Sequence, residues 1–451
     1  MKPQSFLLPL ILAGCAVGPD YQRPEIALET RFATGEASTI GAVAAQTWWR
    51  SYNDATLNGL VARGLAQNLD VMQATEAIRQ AQAELRATGV NAALDGALTA
   101  SRTRNGGDST ATYTGNSTEL SAGLVIDLFG GIQREREGAT AALTAARADA
   151  ETARLAWLAE LLANYSDARY YQAVLALTRD TIRARQETVE ITRSQFQAGA
   201  TTEYEVAEAK ALLSTARAAL PQYAALFDAK VYAIATLLNE PADPIKRQMQ
   251  KGAPQLRTPG GASSGVPADL LRNRPDVRSA EAELAGAVAE VGVAEAALYP
   301  SLSLNGTVGR SSGSDSWSFG PALSLPVLNQ GSLRANRDAK ISQAKQTEIT
   351  WRASVLAAVE DVQVAQSNLS RYRQRSALLR TAANDYGRAL TLAQENYRSG
   401  AITLLDLLET DRNTAAARIS AASAVNDAAQ AWATLKIATG AGAAAAAQGE
   451  N

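Results

Sequence analysis

Two spacings of apolar residues alternate along the chain. The segment WWRSYND and the run from Leu57 to Val90 read as amphipathic helix, with Leu57, Leu60, Val61, Leu65, Leu69 and Met72 recurring at three- and four-residue intervals. The period then falls to two. In ELSAGLVIDL, Leu120, Ala122, Leu124, Ile126 and Leu128 alternate with Glu119, Ser121, Gly123, Val125 and Asp127, a strand with one apolar and one mostly polar face. Leu98 to Arg104 reads as a weaker partner strand, with the Gly-, Ser- and Thr-rich residues 105 to 117 as the loop between them. The same order returns later. Asp276 to Leu298 is helical in pattern; Leu302, Leu304, Gly306 and Val308 mark one strand, and Trp317, Phe319, Leu323 and Leu325 mark the next. Strands of roughly ten residues cross a bilayer when tilted, although a soluble hairpin packed on a core fits the same pattern. Four strands do not close a barrel, so a membrane location would require several chains to pool them.

Behind each hairpin lies a long stretch almost without breakers. Gln133 to Ala198 and Leu333 to Ser399 contain no proline, and each would form a helix of roughly 100 Å at 1.5 Å per residue. Their apolar seam alternates four and three: Tyr372, Ser376, Leu379, Ala383, Tyr386, Leu390, Ala393, Tyr397, and, 201 positions earlier, Tyr171, Leu175, Thr178, Ile182, Arg185, Val189, Thr192, Phe196. Both seams run into a glycine, Gly199 and Gly400, the expected turns of two helical hairpins. An ordinary antiparallel helical hairpin fits this seam as well as a helix lining a tube does. After each glycine stands a capping-box spacing, Thr202 with Glu205 and Thr403 with Asp406. The chain is one structural unit used twice.

Composition narrows the function. The chain has 451 residues, only 14 prolines, and 43 basic against 45 acidic side chains, which gives no electrostatic case for a nucleic-acid partner. No histidine is present, which removes a Ser-His-Asp triad and most catalytic zinc sites, so an enzyme is not expected. The N-terminus has Lys2, an apolar run Phe6 to Leu12, and then Leu12-Ala13-Gly14-Cys15. The run is too short for a transmembrane helix, and an ordinary secretory signal with an incidental cysteine is one reading of it.

Several segments together carry a resemblance. Leu12 to Cys15 resembles a bacterial lipobox, with Cys15 as the acylated residue; Ala16 in place of aspartate points to the outer membrane. With this lipobox, the CAVGPDYQRP opening, the doubled hairpin-plus-helix order, NRPDV at 273–277, ALYPSL at 297–302 and the paired glycine turns resemble the TolC-type outer-membrane factors, in the lipoprotein branch of multidrug-efflux channels (NodT or OprM-like). The resemblance covers Cys15 to about Gly440. It implies a mainly α fold with a transmembrane β-barrel contribution: three chains give four strands each to a twelve-stranded barrel, continued by a helical barrel through the periplasm. It also implies a homotrimer, a periplasmic adaptor, an inner-membrane pump of the RND type, outer-membrane lipid as surroundings, and no cofactor beyond the lipid on Cys15.

On this reading the chain divides into a signal peptide, 1–14; a lipidated segment, 15–56; a first repeat, 57–240, with its hairpin at about 98–128; a linker, 241–266; a second repeat, 267–440, with its hairpin at about 301–327; and a low-complexity tail, 441–451. The resemblance makes Asp406, Glu409 and Tyr397 gate candidates, and Thr202, Glu205 and Thr403 adaptor-contact candidates. In a trimer Asp406 and Glu409 would form acidic rings favouring cations. Helix capping is the competing role for Glu205 and Asp406, and the last place in the seam is the competing role for Tyr397. Two departures stand out: Asp95-Gly96 replaces the Tyr299-Pro300 of the second copy, and Ile402 occupies the position where some members carry a basic latch residue. The expected function is a passive exit channel for drugs or other small toxic solutes. A protein-secretion duct and a non-conducting periplasmic scaffold share these features.

Overall fold

A computed structural model describes residues 16–33, 39–261 and 265–444. Cys15, the expected acylation site, lies outside them, as does the tail from residue 445. After a short 3-10 turn at Trp48–Tyr52 the elements are α1 (Ala55–Gln67), α2 (Leu69–Ala87), α3 (Val90–Ala93), β1 (Leu94–Gly107), β2 (Thr110–Ile126), α4 (Gly131–Gln197), α5 (Glu203–Leu237), α6 (Ala242–Gln250), α7 (Pro267–Asn273), α8 (Pro275–Ala296), β3 (Ser301–Ser311), β4 (Ser314–Ser324), α9 (Gln330–Arg398) and α10 (Leu404–Ala438). The chain divides into two compact units, the first built from Met1–Ala27, Thr75–Asp149 and Asp276–Ser354, and the second from the remainder.

The first unit holds one antiparallel sheet in the order β1-β2-β3-β4, so the hairpins of the two repeats pair with each other through β2 and β3. Directly paired residues share a face. Leu98, Leu120, Val308 and Trp317 therefore make one apolar row across four strands, Leu94, Leu124 and Leu304 a second, and Ile126, Leu302 and Leu323 a third. This face is uncovered, with Trp317 80% exposed. The opposite face is polar: Ala97, Ser121, Thr307 and Ser318 pair across it, and the Thr307 and Ser318 hydroxyls hydrogen-bond at 2.8 Å.

Residues 105–117, expected as loop, are strand apart from the turn at Asp108 and Ser109. Thr and Tyr favour extended backbone, and a register shift between Asn105 and Gly107 absorbs the glycine pair. The periodicity was silent here because neither face of this end is apolar, while the ladder bonds to β2 remain available.

The N-terminal arm is clamped to the same unit. The Val17 N–H donates to Phe129 O at 3.0 Å. Arg134, 4% exposed, donates to Val17 O, Gly18 O, Asp20 Oδ1 and Glu137 Oε2 at 2.7–3.3 Å. Gly18 has φ +86°, and a Cβ there would sit 2.6 Å from Gly292 Cα. Further along, Arg23 donates to Glu281 at 2.7 Å.

The second unit has its own core. Trp48, Tyr52 and Trp432 meet edge-on at 5.2–5.6 Å, and the Tyr52 hydroxyl donates to Ala429 O at 2.6 Å. Leu57, Leu60 and Val61 are buried, but Leu69 and Met72, expected on the same face, are exposed. The helix breaks at Asn68, whose side chain donates to Leu237 O and accepts from Val71 N–H, both at 3.0 Å, and the break ends the stripe. Residues 241–266, expected as linker, contain α6, whose Ile245 and Met249 are fully buried; their four-residue spacing puts them on one face of an otherwise charged segment. The start of the expected tail is also packed: Ala441 and Ala443 are buried, and the Ala444 N–H donates to Ala44 O at 2.8 Å. Small side chains let this segment lie close against the backbone of the N-terminal segment.

The Gly18→Ala substitution combines a left-handed φ with contact against the Gly292 backbone. It should release the arm, read as faster hydrogen exchange at the Val17 amide. Unchanged protection there would contradict the clamp.

Candidate functional site at the two helix turns

The two glycine turns are built alike. The Gly199 and Gly400 N–H groups donate to Phe196 O and Tyr397 O, and the Ala200 and Ala401 N–H groups donate to Gln195 O and Asn396 O at 2.8 Å. These paired bonds close a helix C-terminus with a left-handed residue, and φ is +72° at Gly199 and +76° at Gly400. Among the described residues no atom beyond the chain neighbours lies within 4 Å of where a Cβ would stand on either glycine, so conformation and not space requires them.

The next helices start on reciprocal caps. The Glu205 N–H donates to Thr202 Oγ1 and the Thr202 N–H to Glu205 Oε2, both at 3.4 Å. Thr403 donates to Asp406 Oδ2 from its hydroxyl at 2.6 Å and from its N–H at 3.1 Å. The Thr403 hydroxyl, then its backbone N–H, hold the Asp406 carboxyl below the usual carboxylate range. Thr202, Glu205, Thr403 and Asp406 thus all make capping bonds. Glu409, one turn further, is exposed and makes no ion pair among the described residues.

Tyr397 occupies the end of the seam: it is 5% exposed, packs with Val189, Leu213, Leu390, Leu404 and Leu407, and shares a 3.0 Å hydrogen bond with the Thr192 hydroxyl. Burial raises its phenol pKa. Phe196, its repeat equivalent, is exposed. The two hairpins therefore pack together around one aromatic and not two.

Three features were missed by pattern reading. Arg185 and Asp411, each 9% exposed at the side chain, form a 2.6 Å ion pair between α4 and α10, and Arg185 also donates to Leu212 O of α5. Burial raises the Asp411 pKa, opposed by Arg185, Arg418 and Arg412. The signal was an arginine inside a heptad seam, which needs a counter-charge, and an acid at the repeat position where the first copy has Lys210. Arg398 pairs with Glu187 on the surface of the same hairpins. Tyr204 and Leu405, at the same place after the two turns, are large apolar residues 73% and 59% exposed.

The sequence profile of the family described as "Outer membrane efflux protein" matches residues 60–240 and 266–441, both repeats. The chain belongs to this family. Nodulation protein T of Rhizobium leguminosarum bv. trifolii is 39% identical over 447 residues, 96% of each chain. The solvent efflux pump outer membrane protein SrpC of Pseudomonas putida is 30% identical, covering 89% of this chain and 90% of that one. Among solved structures, the outer-membrane channel OprN superposes with a TM-score of 0.85 at 27% identity, over 95% of this chain and all of that one. The open-state MtrE channel of Neisseria gonorrhoeae gives 0.83 at 25% identity, over 95% and 98%. As a member of the family, this chain is a passive exit channel of the outer membrane of a Gram-negative bacterium. Its apolar sheet face is the surface such a channel presents to hydrocarbon.

Removing one member of a buried ion pair leaves the other uncompensated, at a cost of about 3–5 kcal/mol. Arg185→Ala and Asp411→Ala should each loosen the turn region by that order, while Arg185→Met with Asp411→Leu should recover most of it. The readout is hydrogen exchange at the amides of 186–192 and 404–410. Additive losses in the double variant would contradict a direct pair.

Proposed function

We propose that three copies of this chain form a duct that a periplasmic adaptor and an inner-membrane pump of the RND type recruit to expel drugs or other small toxic solutes. The observation that carries this reading is a four-stranded sheet with an apolar outer face and two unpaired edges, β1 and β4. An unpaired backbone group in hydrocarbon costs several kcal/mol, so the edges must pair with other copies. Two copies would give eight strands, an interior that side chains fill; three give twelve strands and leave a lumen. Ser121, Thr307 and Ser318 on the inner face suit water. An exposed apolar stripe on α9, Leu356, Val364, Leu378 and Leu392, supplies a surface for helix packing between copies.

Small-solute export agrees with relatives named for solvent, toluene and pyoverdine efflux. In this proposal Cys15 carries the lipid anchor. The adaptor meets the turns, where Thr202, Glu205 and Thr403 hold the backbone in shape and the exposed Tyr204 and Leu405 offer apolar contact. Tyr397 holds the hairpins closed from within, and opening swings them about Gly199 and Gly400. Asp406 and Glu409 line the narrow end; capping and lining are compatible for Asp406, because a capped carboxylate keeps its charge.

Purified protein in planar bilayers should give cation-selective pores. The Asp406→Asn, Glu409→Gln pair, which leaves an acceptor for the Thr403 cap, should weaken that selectivity. Pores of unchanged selectivity would remove the lining role, and absence of pores would favour a scaffold.

A further inference from the structure

At the end of the sheet where strands meet helices, the first unit contains a cavity of about 440 Å³ between the N-terminus of α4, the C-terminus of α8 and the ends of β2 and β3. Phe129 and Tyr299 stack at 4.7 Å to form one wall, and Ile132, Val293, Pro300 and Pro326 continue the apolar lining. Its carboxylates have other places: Asp127 accepts from the Gln133 N–H at the start of α4, at 2.9 Å, and Glu135 is exposed at the rim. The cavity adjoins Ile126, where the hydrocarbon-facing rows end.

The first described residue of the N-terminal arm, Ala16, lies beside this cavity. Gly130, between the lining residues Phe129 and Gly131, is so close to Ala16 that a Cβ on it would lie 2.5 Å from the Ala16 Cα. The bond from Val17 N–H to Phe129 O and the Arg134 clamp fix that approach. Cys15 directly precedes Ala16 in the sequence, and consecutive Cα atoms of a chain are about 3.8 Å apart.

We propose that the cavity is an acyl-chain pocket, occupied by one hydrocarbon chain of the lipid carried on Cys15. The inference rests on Cys15 being acylated. Glycines at 130 and 131 and the aromatic wall would then make a seat that holds the anchor at the base of the barrel, while the other chains enter the bilayer.

The test is metabolic labelling of the full-length protein with a diazirine fatty acid, photolysis in membranes, and peptide mapping. The expected product bridges the N-terminal peptide beginning at Cys15 to peptides containing 128–135 or 293–301. Ala297→Trp, which places an indole on an exposed lining position, should abolish that product while the label stays on the N-terminal peptide. A chain without label on its N-terminus would overturn acylation and the proposal with it. A labelled N-terminus bridged elsewhere or nowhere, or pocket adducts with the mass of free phospholipid, would overturn the pocket alone.

Discussion

The constraint on which the rest depends is the unpaired edge of the sheet. β1 contributes fourteen residues, and roughly half of its backbone groups point away from β2, with no strand among the described residues to meet them. On a soluble protein, water would satisfy them. Here the same sheet carries rows of Leu, Val and Trp on one face, which places the edges where water is absent. An apolar face suits lipid, lipid requires closed edges, and in the proposed trimer other copies close them. The two repeats meet at β2 and β3, so duplication supplies the pairing between the two hairpins of one chain.

At the helix turns the repeats have diverged while keeping their backbone. Both turns use the same left-handed glycine and the same capping box, yet only Tyr397 of the aromatic pair is buried. Arg185 and Asp411 put a buried charge pair between the two hairpins, and the repeat-related positions carry Tyr386 and Lys210 instead. Burial opposes the Asp411 charge as Arg185 supports it, so desolvation offsets much of what the pair's attraction contributes to stability.

Much of this was legible in the residues. Alternation around Leu120 and Val308, the seam from Tyr372 to Tyr397 and the two glycines each carry a period or a backbone requirement that shows in the residues alone. What escaped lacks a period. Residues 105–117 are polar on both faces, so the strand depends on its partner's ladder alone. α6 is too short to repeat, and Ala441 reads as tail until Trp48 donates to its carbonyl. The cap at Asp406 was readable as spacing, but whether its carboxyl turned inward to Thr403 was a question of geometry. Arg185 stood in the seam, with its counter-charge 226 residues away.

The central claim is that the sheet is one part of a barrel closed by identical copies. Native mass spectrometry of the channel released from detergent micelles measures this directly. The account predicts one dominant species at three times the mass of the mature, acylated chain. A monomer or dimer as the dominant species, from a preparation that forms pores, would contradict it.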